Sequence, residues 1–290
     1  MTESVFRRLG LGTVQFGQAY GVSNPAGQVA PPEVAAILRR AAATGLSVLD
    51  TAANYGEAER VLGAVPQLTQ PFRLVTKTIA LKNGLDAVLA RARQSVATLG
   101  RKPVDLLLVH FAPDLRDEGG REFWNALLAL RDEGLFKGIG ISAYVADEPA
   151  QLARDFRPDA MQVPFSLLDQ RLLQSGQLDA IKALGVEIHA RSLFLQGLLF
   201  LESDRLPAKL QHAAPHLDAM RGRFAEAGTT PLAAALGFVL SRPEIDVGIV
   251  GVTTAVELEQ ILAAARAPAP PVDWNACALD DPVVLTPSLW

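Results

Sequence analysis

A chain of 290 residues that is 49% hydrophobic and 20% charged fits a globular protein with a large buried core. Its net charge of −4, with no Lys/Arg-rich run, supplies no basic field for nucleic acid, and its single cysteine, Cys277, excludes an internal disulfide framework and fits a reducing compartment. No apolar run approaches the roughly 20 residues that cross a bilayer, and the opening MTESVFRRLGLG is too polar and too soon broken by glycine for a signal peptide. The expectation is a soluble, cytoplasmic protein without a nucleic-acid or membrane partner.

In chain order, Leu9–Gln15 and Gln28–Val29 suggest a hairpin outside any repeat, across the bottom of the fold. Pro31–Thr44 opens with Pro-Pro-Glu, a good first helical turn, and ends at Gly45 as a C-cap. The apolar run Leu46–Asp50 follows, and then Phe72–Lys77. Leu85–Leu99 is a helix with Val88, Leu89, Ala92, Val96 and Leu99 on one stripe, closed by Gly100. Val104–His110 is a strand, Arg121–Glu133 a helix stopped by Gly134, and Gly138–Ser142 and Ala160–Val163 are strands. Leu172–Leu184 is a helix stopped by Gly185, leading into the strand Val186–Ala190. Ser192–Pro207 is too long for a bare βα loop and points to function. Pro231–Ser241, the run Asp246–Val250 and Ala255–Ala265 complete the pattern.

These strand runs are unbroken apolar stretches, as in a parallel sheet buried on both faces. Helices ending in glycine and feeding such strands form a βα repeat. Seven units are clear, and an eighth would fall in the Pro-rich tail Pro268–Trp290. With no composition break and no GxGxxG after the first strand, a single-domain (β/α)8 barrel over residues 1–290 fits better than a doubly wound sheet.

In such a barrel the chemistry lies at the C-terminal ends of the strands. Asp50, Lys77 and His110 close consecutive runs, Ser142 closes another, Gln162 is near an end, and Tyr55 follows Asp50 on a loop. Each alone has a plainer explanation: a turn cap, a solvated lysine, a structural histidine. Together they are harder to assign to chance, and buried Asp50 and Lys77 should pair. A free tyrosine titrates near about 10, so it needs a neighbouring cation to release its proton near neutrality. Lys77, held by Asp50, would be that cation for Tyr55. His110 would orient a carbonyl or pass a proton.

LDTAANYG, VTK and DLLLVHFAP resemble the aldo-keto reductases, whose tetrad runs Asp, Tyr, Lys, His. LGLGTVQFG, LRDEGLFKGIGIS, MQVPFSLLDQR and QGLL extend the resemblance over nearly the whole chain. It implies reduction of aldehydes or ketones, sugars among them, or the reverse reaction, with NADPH or NADH bound across the rim. The implied catalytic set is Asp50, Tyr55, Lys77 and His110. Asp50, Ser142 and Gln162 would lie near the nicotinamide, with Gln196, Gly197 and Leu198 over the pyrophosphate. Gly251, Thr253 and Thr254 would meet the adenosine phosphate region.

Departures bear on the cofactor. Ser142-Ala143 replaces the usual Ser-Asn, and Arg191 stands where an aromatic residue commonly stacks on the nicotinamide. Gly251 and Glu257 replace the lysine and arginine that hold a 2′-phosphate, and Gln260 and Ile261 replace an adenine-side Glu-Asn pair. The usual NADPH preference is expected to be weakened or reversed, unless Arg191 or Arg205 supplies the cation. An alternative function, known for some relatives of this fold, is a cofactor-sensing subunit with little turnover. His212 and His216 lack a carboxylate pattern that would make them a metal site, and Cys277 is expected to be inert. Tyr20, Phe165, Phe194 and Trp290 would line a substrate pocket or serve packing.

Overall fold

The computed structural model describes residues 5–290. Eight parallel strands close into a barrel in sequence order: β1 Leu9–Gly12, β2 Val48–Asp50, β3 Arg73–Lys77, β4 Val104–Val109, β5 Phe136–Ser142, β6 Ala160–Pro164, β7 Glu187–Arg191 and β8 Val247–Gly251. Helices lie between the strands, which makes this a (β/α)8 barrel.

The N-terminal segment corrects the sequence reading. Leu9–Gly12 is not part of a hairpin but the strand that closes the barrel. Gly10 lies beside Val48 of β2 and Ile249 of β8, parallel to both. Leu9 and Leu11 face the layer under the helices, where both are fully buried. Gly10 faces the lumen, where an added Cβ would come within 2.7 Å of the Ile249 side chain. An alternating Leu-Gly-Leu-Gly run is therefore what a crowded lumen requires there, the same alternation that Gly138–Ser142 shows in β5, but no glycine-stopped helix precedes it among the described residues. Gln15 and Val29 do meet, through one backbone bond of 2.9 Å, beyond the C-terminal end of β1 and so on the rim side. The Pro-rich tail supplies no strand. It packs outside through short helical turns, with Leu279 N–H bonded to the Leu168 carbonyl at 2.9 Å.

Two apolar layers hold the barrel. Val48, Val75, Leu106, Leu108, Ala160, Val247 and Ile249 fill the lumen, and a much larger set lies between strands and helices. Helices Pro31–Thr44 and Leu85–Leu99 have the expected bounds, and left-handed Gly45 (φ 82°) and Gly100 (φ 63°) end them. The span 172–184 is two helices, Arg171–Gln174 and Gln177–Lys182, because Gly176 at φ 70° interrupts it. Pro149–Phe156 and Ala214–Glu226 are further helices, the first covering β6. No helix among the described residues is long and apolar enough to cross a membrane.

Candidate active site

Beneath the rim, Lys77 is 1% exposed and Asp50 4%. Two charges so deep are tolerable only if fully bonded. Lys77 Nζ lies 2.6 Å from Asp50 Oδ2, donates to the Thr51 carbonyl at 2.9 Å and to the Tyr55 hydroxyl oxygen at 3.3 Å. An ammonium has three hydrogens, and three acceptors meet them. Burial works against the charge, but Asp50 and then Tyr55 outweigh it and hold Lys77 above its ordinary value. The other carboxylate oxygen, Asp50 Oδ1, accepts from Gln162 Nε2 at 2.7 Å, tying β2 to β6 across the barrel.

Tyr55 is carried by a tight turn after β2. Its N–H bonds the Ala52 carbonyl at 3.1 Å, and Arg91 Nη2 donates to the Ala53 carbonyl at 3.2 Å. Arg91 is itself braced by buried Glu59, which also accepts from Thr76 Oγ1 at 2.6 Å, next to Lys77. The β1 loop presses on this turn at Gly17, where a Cβ would fall 1.8 Å from the Tyr55 carbonyl. Only glycine permits that approach.

His110, just past β4, meets Tyr55 edge to face, with centroids 5.8 Å apart at 80°. Burial, then the charges of Lys77 and Arg191, push its imidazole down to about 3, so it is neutral at ordinary pH.

The rim encloses a cavity of about 1050 Å³. Asp50, Tyr55, His110, Ser142, Gln162, Arg191, Gln196, Gly197, Gly251, Thr253 and Glu257 all line it. Ser142 and Gln162 are register partners on β5 and β6. Gln162 Oε1 is buried without a hydrogen-bond partner. Gln196 and Gly197 have positive φ, and a Cβ on Gly197 would strike Ser23 Oγ at 1.8 Å. The loops after β1 and β7 thus meet across the opening.

Residues 8–278 match the model of the Aldo/keto reductase family. This chain belongs to that family. A protein of Mycobacterium sp. (strain KMS) named aldo-keto reductase is 33% identical over 128 residues, 43% of this chain and 45% of that relative. Glyoxal reductase of Bacillus subtilis (strain 168) is 26% identical over 167 residues, 56% of this chain and 58% of that protein. The matched stretches span about half the length of these relatives. Among solved structures, an aldo-keto reductase from Bacillus halodurans in its holo form is similar in fold, with a TM-score of 0.71 at 20% identity, covering 90% of this chain and 87% of that one.

In this aldo/keto reductase, several residues singled out from the sequence fall elsewhere. Leu198 does not reach the cavity and is fully buried in the outer core. Thr254 does not line it either: its hydroxyl caps helix Ala255–Arg266 by accepting from Glu257 N–H at 3.1 Å. Arg205 is exposed outside the cavity. Phe165 stacks on Phe238, with centroids 5.2 Å apart, and the Trp290 indole donates to the Val283 carbonyl at 2.9 Å. Tyr20 and Phe194 do line the cavity. His212 bonds Asp281 at 2.6 Å and His216 bonds the Cys277 carbonyl at 3.1 Å, so the two histidines serve separate contacts. Cys277 is buried, and burial raises its thiol to about 11.

Sequence reasoning missed Gln15, Asn54, Phe111 and Tyr144, which also line the cavity. Each lies within about four residues of a strand end, the one available signal.

Proposed function

We propose that this protein is a nicotinamide-dependent oxidoreductase that reduces aldehydes or ketones to alcohols, or runs the reverse, with Tyr55 as proton donor. The observation that carries the reading is the contact of Lys77 Nζ with the Tyr55 oxygen at 3.3 Å. Because Lys77 donates there, the phenolic O–H is left free to donate to a carbonyl oxygen in the cavity. As that proton leaves, the oxygen gaining negative charge faces an ammonium anchored by Asp50. Neutral His110 offers a ring N–H beside the same position and adds no competing charge.

The lining fits a nicotinamide. Gln162 has its amide nitrogen engaged by Asp50 and its oxygen unpartnered, which suits a carboxamide N–H, and Ser142 stands beside it. When bound, the reduced ring supplies the hydride that reaches the carbonyl carbon. Gln196 and Gly197 would approach the pyrophosphate. At the end of β8, Glu257 Oε2 accepts from Thr253 N–H at 2.6 Å and Thr253 Oγ1 at 3.0 Å. A carboxylate of the chain thus occupies the donors that a 2′-phosphate would use, next to Gly251 where a lysine is usual. This favours NADH, or at least removes the usual advantage of NADPH.

Fluorescence titration with NADH and NADPH, followed by a single turnover with 4-nitrobenzaldehyde, tests the reading. Reduced cofactor should bind and then be oxidised. Bound cofactor that stays reduced through a panel of aldehydes, ketones and sugars would refute it in favour of a cofactor-sensing role.

A further inference from the structure

Three charged carboxylate or guanidinium side chains line the cavity among the described residues: Asp50, Glu257 and Arg191. Asp50 is paired with Lys77, and Glu257 is bonded to Thr253. Arg191 differs. No carboxylate among the described residues pairs with it; Nη1 reaches only Ser192 Oγ at 3.4 Å, and Cζ lies 4.2 Å from the centre of the Tyr144 ring.

The direction of this side chain is informative. Arg191 ends β7, and Tyr144 lies just beyond the end of β5, so the guanidinium reaches over β6. It leans toward the part of the rim that carries His110 and away from β8, where Gly251 and Glu257 lie. Its charge is felt at His110 and at Tyr20. Nearby, Phe111 is 53% exposed and Tyr144 36%, an apolar aromatic wall open to the cavity.

A half-buried guanidinium without a counter-ion gains free energy when an anion arrives. Tyr144 covers one face of the guanidinium, which leaves its edge of N–H donors, the geometry that takes a planar carboxylate side-on.

We propose that Arg191 is the anion-recognition residue of the substrate subsite, and that the substrate is a carbonyl compound bearing a carboxylate on an apolar body of aromatic size. The carbonyl part rests on the reductase reading above, whereas the carboxylate subsite stands on the placement of Arg191.

The test is calorimetric titration of the purified protein, alone and with NAD+ or NADP+ present, with 4-methylbenzoate, which has no alcohol to oxidise, and its uncharged amide. Wild-type protein should bind the benzoate about tenfold or more tightly than the amide, the scale of one charge-assisted hydrogen bond. Arg191→Gln should bring the two affinities within about twofold, and Arg191→Lys, which keeps the charge but loses the fork, should fall between. Equal binding by the wild type overturns the proposal, as does a benzoate preference that survives in Arg191→Gln. So does a variant that loses cofactor affinity with the benzoate-to-amide ratio unchanged, which assigns Arg191 to the cofactor. Turnover of 4-carboxybenzaldehyde against methyl 4-formylbenzoate separates the two readings. Benzoate bound through Arg191 with neither aldehyde reduced refutes the reductase activity and upholds the subsite.

Discussion

Lys77 and Asp50 form an ion pair of 2.6 Å on the floor of the cavity, each at most 5% exposed at its side chain. The pair closes the strand ends of β2 and β3, and its free ammonium hydrogen is what reaches Tyr55. The ion pair therefore fixes where the ammonium meets Tyr55.

Removing one partner leaves the other charged and buried, which typically costs about 3–5 kcal/mol. Lys77→Met and Asp50→Asn should each lower unfolding free energy on that scale in urea titrations. The double variant should be less destabilised than the two losses added together, because no lone charge remains. Strict additivity would mean that the two charges do not depend on each other.

Tyr55→Phe tests the proton donor without disturbing that pair, since Lys77 keeps Asp50 and the Thr51 carbonyl as acceptors. Carbonyl reduction should fall by about 10²–10⁴, the usual contribution of a positioned acid, with cofactor dissociation constants nearly unchanged. A good substrate reduced at the wild-type rate would remove Tyr55 from the role.

His110 makes stability depend on pH in a known direction. Its imidazole takes up a proton near 6.5 when unfolded and only near about 3 when folded. Between those values the unfolded chain binds more protons, so stability falls as pH drops from 6.5 toward 3. Glu187 adds to the loss at lower pH. Burial opposes its charge, but Arg73 and His189 hold it well below the usual carboxylate range. His110→Asn should flatten the melting-temperature curve between about pH 6.5 and 5, where unfolded carboxylates barely titrate. An unchanged slope would place the titration on another group.

Cofactor choice should follow Glu257. Wild-type protein is expected to bind NADPH no more than about tenfold more tightly than NADH at moderate salt. Glu257→Arg should shift the ratio toward NADPH by about tenfold or more, because repulsion is replaced by a charge-assisted contact. Dissociation constants of both cofactors for both proteins decide it, and a ratio that does not move would detach Glu257 from the 2′-phosphate.

The barrel was legible in the sequence wherever a signal was local. Unbroken apolar runs with glycine-stopped helices between them are periodicities within one segment, and they identified seven of the eight strands. Asp50, Lys77 and His110 could be grouped because each closes such a run, and strand ends in this architecture share a rim. Leu9–Gly12 has no glycine-stopped helix before it among the described residues, and so stood outside the repeat. Its glycines answer to Val48, Val247 and Ile249, contacts that exist only once the barrel has closed. The reach of Arg191 over β6 to Tyr144 was likewise decided by tertiary structure. Side-chain direction and the company of an unpaired charge depend on neighbours that arrive from distant strands. The residues of a site can be read along a chain, but their partners are set by the packing that surrounds them.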